Sequence, residues 1–545
     1  MKIFKFFPLA CAALMMSACS SDDGNGSENP NIAGEAQYLA VNIVNVGTTP
    51  TRATLPGYDD GTAEESKINK IRFYFFHADG SAYSLKNATG GVDNYIEKTI
   101  TTTDMGTADG TNTVGAITNA ILVIEGTTKQ APASVIAVVN PESITPALGT
   151  DAKSLNDLTN NVTGTQFYTI ATKNNFAMTN SVYVEAGRTV CPSLVAGHIG
   201  TDASTAKANP VEIYVERVVA KVDADLSTLT ANAAGTTKYG MKVGTYSSKD
   251  IYAVVDGWGV ADENNNAYVE KHITNTWLDT DFGIPTWNTA DYHRSFWETS
   301  PAFTGGKPAN HTFAEYTAQH NDVLYTLPNT PTTAVDPTKV YNNDRTKFLV
   351  TATLKYQDAT GTWQNAEICK YRGVEYLGID ALKEAIATTF NLYYTEAGGV
   401  YTPIQAGDVD FTTTGTSLKD YEVFPVLKSG KTYYKKDASS ATGYTPLTTE
   451  NISTNPAEVR KEGKAYYYIP IRHLGTDAGN VGYYGVVRNH WYKVKVNSLK
   501  GFGTPVYDDT KTIIPTIPDD SNTFLAAQIN VLQWRVVSQD VNLGK

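Results

Sequence analysis

Residues 527–534 read Ala-Gln-Ile-Asn-Val-Leu-Gln-Trp, and residues 39–46 read Leu-Ala-Val-Asn-Ile-Val-Asn-Val. In both stretches apolar residues alternate, double once (Ile43-Val44 and Val531-Leu532), and resume on the opposite parity. This pattern predicts a half-buried strand with a bulge or bend in the middle, present at both ends of one chain. Two interpretations stay open at this point. Either the alternation is the kind that edge strands of many β proteins share, or the two segments compete for one groove.

Length and composition predict a large β-rich protein. The chain has 545 residues, too many for one hydrophobic core, so two or more domains are expected. With 33 Tyr, 43 Gly, 23 Pro and only 18% charged residues, the composition favours strands and turns. The net charge of −12 disfavours a nucleic-acid partner, since phosphate binding relies on clustered Lys and Arg.

The amino end carries an export signal. Lys2 and Lys5 precede an apolar run at residues 6–16, and Ser17-Ala18-Cys19 follows it. This arrangement resembles a bacterial lipobox, in which Cys19 would become the lipidated first residue; an ordinary secretory signal with an incidental Cys is the alternative. The acidic run at residues 20–23 resembles the surface-export signals of Bacteroidota lipoproteins, and residues 24–34 have the composition of a flexible tether.

Two cysteines remain outside the signal, Cys191 and Cys369. A disulfide between them is compatible with export, and two separate buried thiols are the alternative. No CxxC or His-rich segment surrounds either residue.

A polar, Pro-containing segment at residues 49–54 follows the first copy of the strand. It should be exposed, so a trypsin-like protease could cut between Arg52 and Ala53. Arg52 is notable because it follows directly after a strand whose apolar pattern recurs near the carboxyl end.

Further along, alternation predicts strands at residues 66–76, 133–140 and 211–222, and the first domain should end near residue 226. Residues 380–391 are predicted to form a helix with Asp380 as its N-cap. Strands at residues 466–471 and 486–496 are predicted to form a final hairpin. Pro515 and Pro518 indicate a stiff linker at residues 511–521.

Aromatic residues are dense in the second domain, and catalytic patterns are absent. Trp258, Trp277, Trp287, Tyr292 and Trp297 could line a sugar-binding surface, although packing of a loop-rich sandwich is the favoured interpretation. The eight His are scattered, and the sequence has no HExxH, GxSxG, P-loop or dinucleotide fingerprint. We therefore predict no enzymatic activity, no cofactor and no metal site.

Several segments together resemble the Mfa1/FimA-type fimbrillins, the major pilus subunits of Bacteroidales. One departure is Pro328, where an acidic residue would be expected before Asn-Thr. The segments that carry the resemblance are residues 215–222 (Val-Glu-Arg-Val-Val-Ala-Lys-Val), 257–259 (Gly-Trp-Gly), 292–297 (Tyr-His-Arg-Ser-Phe-Trp), 325–330 (Tyr-Thr-Leu-Pro-Asn-Thr), 486–494 (Val-Val-Arg-Asn-His-Trp-Tyr-Lys-Val) and 501–503 (Gly-Phe-Gly).

The resemblance implies an all-β fold with minor helix, consisting of two transthyretin-like β-sandwich domains and a carboxyl-terminal donor strand. It divides the chain into a lipoprotein signal (1–18), a propeptide with tether and removable strand (19–52), two sandwich domains (53–226 and 227–510), and a linker with the donor strand (511–545). It implies lipidation at Cys19 and cleavage between Arg52 and Ala53. The side chains of the displaced strand would be Leu39, Val41, Ile43, Val44 and Val46, and those of the donor strand Leu525, Ile529, Val531, Leu532, Trp534 and Val536.

The function implied is a stalk subunit of a cell-surface fimbria that polymerises by donor-strand exchange and supports adhesion or biofilm formation. Its partners would be identical subunits, anchor and tip fimbrial proteins, and the outer membrane through the lipid of the precursor. The alternative is a monomeric surface glycan-binding lipoprotein that uses the Trp/Tyr-rich loops.

Overall fold

Strands dominate the protein, and helices are short. The computed structural model describes residues 37–45, 61–86, 92–101, 117–127, 130–161, 163–185, 188–273, 295–318, 323–330, 345–415, 418–447, 452–473, 482–515, 524–533 and 538–539. The α-helices in this part are α1 (Ala63–Ser66), α2 (Ala203–Ala208), α3 (Phe313–Ala318) and α4 (Ile379–Thr389). The chain is all-β with a minor helical part, as the sequence predicted.

The strands are numbered along the chain. Those of the first half are β1 (Gln37–Asn45), β2 (Lys70–Phe76), β3 (Leu85–Lys86), β4 (Val92–Asp93), β5 (Tyr95–Thr99), β6 (Ile117–Ile124), β7 (Ser134–Val139), β8 (Ile144–Thr145), β9 (Thr163–Gly164), β10 (Gln166–Phe167), β11 (Met178–Asn180), β12 (Tyr183–Glu185), β13 (Arg188–Val190), β14 (Ser193–Leu194), β15 (Ile199–Gly200) and β16 (Val211–Arg217).

Those of the second half are β17 (Ala220–Asp225), β18 (Gly240–Tyr246), β19 (Lys249–Ala261), β20 (Ala267–Tyr268), β21 (Leu324–Thr326), β22 (Lys347–Gln357), β23 (Trp363–Asn365), β24 (Ile368–Tyr371), β25 (Val374–Leu377), β26 (Tyr393–Ala397), β27 (Val400–Pro403), β28 (Val409–Thr412), β29 (Glu422–Leu427), β30 (Tyr434–Lys436), β31 (Tyr444–Pro446), β32 (Ala457–Val459), β33 (Lys464–Pro470), β34 (His490–Lys500), β35 (Thr504–Pro505), β36 (Phe524–Gln533) and β37 (Ser538–Gln539).

The main sheet of the first half has apolar residues buried on both of its faces. Its strands run in the order β15-β1-β16-β11-β7-β2-β5, with β6 on β1 and β14 on β7. On β2, Phe73 and Phe75 enter the first core, whereas Tyr74 and Phe76 enter a second core on the opposite face. That second core also contains Val269 and other residues of the second half. The two halves are therefore joined through an apolar interface rather than through a bare linker.

The strand predicted at residues 211–222 is two strands in two different sheets. β16 belongs to the main sheet of the first half, and β17 begins three residues after Arg217 in a sheet of the second half. Between them, Val218 and Val219 are both buried in the interface core. The chain therefore passes from one sheet to the other at Val218 and Val219, whereas the sequence had placed the boundary near residue 226. Two consecutive buried valines interrupt the alternation, so one strand ends before them and the next begins after them.

The second half contains a β-sandwich. Strands β21-β17-β34-β36-β37 form one sheet and β18-β19-β22-β33-β35 the other, with β23 on β22. Tyr492 and Val494 of β34 meet Val350 of β22 and Tyr467 of β33 in the core between the sheets. The predicted final hairpin is wrong, since β33 and β34 lie in opposite sheets of this sandwich.

An inserted lobe lies between β23 and β33. Its larger sheet has the order β25-β24-β32-β29-β28 and carries α4, whose Leu382 and Ile386 pack into a core of the lobe's own residues. The N-cap of α4 is Gly378, and Asp380 lies in the first turn instead of at the predicted cap position.

The lobe also contains a duplicated hairpin. Residues 393–404 (Tyr-Tyr-Thr-Glu-Ala-Gly-Gly-Val-Tyr-Thr-Pro-Ile) and 433–447 (Tyr-Tyr-Lys-Lys-Asp-Ala-Ser-Ser-Ala-Thr-Gly-Tyr-Thr-Pro-Leu) begin and end alike. They form the hairpins β26–β27 and β30–β31, in which Tyr394 pairs with Pro403 and Tyr434 with Pro446. The hairpins join where Tyr394 pairs directly with Tyr434, so an approximate twofold axis passes between these two residues.

Candidate strand-exchange site

β1 is an interior strand of the main sheet of the first half. One edge pairs antiparallel with β6 over Gln37 to Ile43, and the other pairs with β15 and then, in parallel, with β16. Leu39, Val41 and Ile43 are at most 1% exposed and lie in the first core. The segment that the sequence singled out therefore fills an interior position in this sheet, between β6 on one side and β15 and β16 on the other.

Neither copy of the strand carries the predicted bulge. Between Val41 and Ile43 the partner β6 advances from Ala120 to Ile117, three residues for two, so the additional residue is on β6. In the other copy, β34 advances from Val496 to Ser498 while β36 moves by one residue, so the additional residue is on β34. The pairing of Val531 and Leu532 with β34 is unbroken. The predicted kink at these doublets is therefore wrong in the chain's own pairing, because the partners absorb the irregularity.

Apolar side chains line both sides of β1. Leu122 and Ile124 of β6 and Val211, Ile213 and Val215 of β16 are each at most 2% exposed and share the core with β1. Removing β1 would leave a groove with an apolar floor and two unpaired strand edges, a combination that favours addition of another strand.

β36, the predicted donor, is paired within its own chain. It runs antiparallel to β34 from the pair Lys500 and Phe524 to the pair His490 and Gln533. Within the part of the chain that the structure describes, its other edge pairs with β37 at Ile529 and Asn530. For most of its length β36 is thus held by one neighbour, whereas β1 is held by two.

Several predicted site residues fall outside the described residues. These are Cys19, Val46, Arg52, Ala53, Trp534 and Val536. For Val44, Leu525, Ile529, Val531 and Leu532 the structure gives the backbone position only.

A buried ion pair connects the segment after the predicted cut to the second half. Lys221 Nζ lies 2.6 Å from Glu65 Oε1, and both side chains are at most 4% exposed. Burial by itself would raise the pKa of Glu65, but the positive charges of Lys221 and Arg217 outweigh it, and the pKa is lowered. Tyr325 donates a hydrogen bond to the same carboxylate oxygen. Lys221 also lies 3.7 Å from the ring centroid of Trp491, on the strand that holds β36.

Arg488 forms a second buried clasp. Its side chain, 1% exposed, donates from Nε to Glu298 Oε2 at 2.8 Å, and its backbone N–H donates to Glu298 Oε1 at 2.7 Å. Its Nη atoms donate to the carbonyl oxygens of Tyr268 and Val269. Arg488 and Lys221 both lie within motifs that carry the family resemblance, but the sequence indicated no role for either of them, and it did not single out Glu65 or Glu298. No local pattern reveals such partners, because Arg488 and Glu298 are 190 residues apart.

The structure also places several of the aromatic residues and both cysteines that the sequence singled out. Trp258 and Trp297 are at most 2% exposed, so they pack the core and cannot form a sugar-binding surface, while Trp277, Trp287 and Tyr292 lie outside the described residues. Cys191 and Cys369 are both free thiols. Among the described residues there is no cluster of three or more metal-ligating side chains. Within the same part of the chain, no helix has the length and apolar character needed to cross a membrane.

Three solved structures match the chain over most of its length at low sequence identity. A candidate cell adhesion protein from Bacteroides eggerthii is 14% identical, with 93% of this chain and 98% of that chain covered and a TM-score of 0.38. A fimbrilin from Porphyromonas gingivalis W83 is 12% identical, with 92% and 98% covered and a TM-score of 0.36. The tip fimbrial protein Mfa3 from the same species is 12% identical, with 92% and 100% covered and a TM-score of 0.31.

Two protein-family models match the sequence, one near each end of the chain. No curated protein matches the chain. The family model described as major fimbrial subunit protein (FimA) matches residues 38–217, from β1 to the end of β16. The model described as major fimbrial subunit protein type IV, fimbrillin, C-terminal, matches residues 460–540, which include β34 and β36. These matches lie at opposite ends of the chain and include both strands of the candidate site, so both ends of the chain are similar to fimbrillins, the major fimbrial subunits.

Proposed function

We propose that the chain is a stalk subunit of a cell-surface fimbria that polymerises by donor-strand exchange. The precursor is exported as a lipoprotein through Cys19 and is anchored at the outer membrane. Cleavage after Arg52 then removes β1, and β36 of a neighbouring subunit takes its place. The partners are identical subunits, together with anchor and tip fimbrial proteins, and the role is structural, in support of adhesion or biofilm formation.

One observation carries the proposal. The strand β36 near the carboxyl end is ten residues long and matches the nine-residue β1 in length and apolar pattern, yet among the described residues β34 is the partner that holds most of it. Its pairing with β34 satisfies the backbone groups along one edge of the donor until assembly. Release from β34 is then a necessary step of assembly.

The vacated groove supplies the driving force. Burial of Leu39, Val41 and Ile43 stabilises the precursor by about 1.5–3 kcal/mol for each side chain. Loss of β1 exposes the facing residues of β6 and β16, and a donor with apolar residues at matching positions restores their burial. The contact is head-to-tail and does not close on itself, so subunits add to an open fibre.

A reversible lock on β36 tests the proposal. Lys493 and Asn530 are directly paired on β34 and β36, so Lys493→Cys with Asn530→Cys should form a disulfide that holds the donor in its own chain. After cleavage at Arg52, the oxidised variant should remain monomeric in size-exclusion chromatography and electron microscopy. Addition of a reductant should restore fibres.

The matched control places the same bond where it leaves β36 free. Lys355 and Asn365 are paired on β22 and β23, so Lys355→Cys with Asn365→Cys adds a disulfide within the same domain. This variant should polymerise whether oxidised or reduced. Fibres from the oxidised β34–β36 variant at the rate of this control would refute β36 as the donor.

A further inference from the structure

A cavity opens between the two halves of the molecule, on the opposite side of β17 and β21 from the β34 pairing. Its volume is about 630 Å³, within the range of roughly 300–1,000 Å³ that is usual for small-molecule sites. Residues 165–173 of the first half form one wall, and residues 260–265, 304–311 and 323–327 of the second half form the others. A ligand bound there would touch both halves at once.

Aromatic rings form one wall. Tyr168 is half-buried, lies parallel to Phe176 with 5.1 Å between ring centroids, and lies 5.3 Å from the ring of Tyr325. Burial, with a further contribution from the negative charge of Glu263, raises the pKa of Tyr168 to about 12. Its hydroxyl group is therefore uncharged at physiological pH and can donate a hydrogen bond. Ile170, 59% exposed, lies beside this wall.

Hydrogen-bonding side chains also line the cavity. His311 Nε2 lies 3.1 Å from Glu263 Oε2, and both side chains are partly exposed.

The geometry points to a binding site for one neutral sugar ring of a glycan, with Tyr168 stacking on an apolar face of the ring and Glu263 and His311 bonding to its hydroxyl groups. A pyranose ring presents C–H groups on its faces and hydroxyl groups around its edge, which matches a cavity lined by both aromatic and hydrogen-bonding side chains. This site differs from the Trp/Tyr-rich loops considered above, and it does not depend on strand exchange.

The charges of the lining favour a neutral ligand over an anion or a metal ion. Lys173 donates to the carbonyl oxygen of Val323 at 2.9 Å, and the charge of His311 is matched by that of Glu263. An anion would need clustered Arg or Lys side chains directed into the cavity. Metal-ligating side chains do not cluster in the described residues.

Saturation-transfer difference NMR on the purified full chain tests the site. The probes are the methyl glycosides of glucose, galactose, mannose and N-acetylglucosamine, with N-acetylneuraminic acid as the anionic comparison. We expect transfer to at least one neutral glycoside, strongest at the ring C–H protons, and weaker transfer to the anion. Absence of transfer to all four neutral glycosides would overturn the proposal.

Variants locate the signal. Ile170→Arg introduces a bulky charge at an exposed position beside the cavity, so the fold should survive and the transfer should fall at least fivefold. Glu263→Gln should weaken binding by removing an acceptor charge. Tyr401→Ala, in the aromatic cluster of the inserted lobe, is the control and should leave transfer unchanged. If Tyr401→Ala abolishes the signal while Ile170→Arg does not, the sugar binds to the lobe and the cavity assignment is wrong.

Discussion

Glu270 is an acidic residue buried where the two halves meet. It is fully buried, close to Glu216, Lys271, Arg488 and Cys191. Burial raises the pKa of Glu270 well above its ordinary value. The positive charge of Arg488 opposes this effect only in part, and the negative charge of Glu216 adds to it. The carboxyl group is therefore protonated in the folded protein at pH values where the unfolded chain has released the proton.

We predict that Glu270→Gln stabilises the protein in a pH-dependent way. Because the folded pKa is raised, the free energy of unfolding falls as the pH rises above the unfolded pKa near 4.5. The substitution removes this loss, so the melting temperature should increase by a few degrees at pH 8 and hardly at all at pH 4. Calorimetry at both pH values measures the effect, and the exposed Glu384→Gln is the control. An equal shift at both pH values would contradict the assignment.

The Glu65–Lys221 pair makes the opposite prediction. Its carboxylate has a lowered pKa, so its contribution to stability is present above pH 4.5 and is lost as the pH falls through the folded pKa. Lys221→Met should destabilise the protein by about 3–5 kcal/mol at pH 7, because breaking a buried pair strands the remaining charge. Glu65→Gln combined with Lys221→Met should recover part of the loss.

The exposed ion pair Lys242–Asp250 is the control for the buried pair. The free energy of unfolding of both variants, Lys221→Met and Lys242→Met, is measured with denaturant. Both side chains of the exposed pair are 49% exposed, so Lys242→Met should cost no more than about 1 kcal/mol. Similar costs for Lys221→Met and Lys242→Met would show that the junction does not depend on the buried charge.

At the scale of elements, the duplicated hairpin gathers four tyrosines around its twofold axis. Tyr401 and Tyr444 stack at 3.9 Å with nearly parallel rings. Tyr394 meets Tyr444 at 5.0 Å, and Tyr401 meets Tyr434 at 5.1 Å, so these two contacts are symmetry mates. The repeat is visible in the sequence, but its pairing across the axis is not.

A double-mutant cycle measures this cluster. Tyr401→Ala and Tyr444→Ala should be coupled by about 0.5–1.5 kcal/mol in the free energy of unfolding, because each ring loses its stacking partner when the other is removed. Tyr401→Ala combined with Tyr239→Ala, in a different sheet, should be additive. Additivity of the first pair would mean that the stacked rings contribute no more than separate burial.

Elements with clear local signals were predicted well. The strand at residues 133–140 is confirmed by β7, and the helix at residues 380–391 by α4 within two residues at its C-terminus. The predictions that were wrong concern sheet membership. Alternation alone could not separate β16 from β17, and the adjacency of β33 and β34 in sequence suggested a hairpin that sandwich topology excludes.

At the scale of the whole molecule, β36 should be dispensable for folding and essential for assembly. Deletion of residues 524–545 removes one neighbour of β34, which keeps β17 on its other edge. We expect a folded, secreted monomer that forms no fibres, as judged by circular dichroism and electron microscopy. Fibres of normal length would show that another segment is the donor.

The start of the mature protein separates the two functions considered for the chain. Amino-terminal sequencing of protein sheared from cells should give Ala53 in high-mass polymers, because cleavage after Arg52 removes β1. A lipidated monomer that begins at Cys19 would instead favour the surface-lipoprotein alternative.

The sequence by itself determined the β class, the presence of matching strands near the two ends of the chain and the family resemblance. Alternation and short motifs are local properties that are visible in the sequence alone. Only the tertiary structure decided where those strands lie: β1 inside the main sheet of the first half, and β36 along one edge of its own chain's second-half sheet. It also decided that buried charges such as Glu65 and Lys221 meet across 156 residues of chain. Sheet membership and ion pairing depend on which distant segments share a core, and no local pattern encodes that choice.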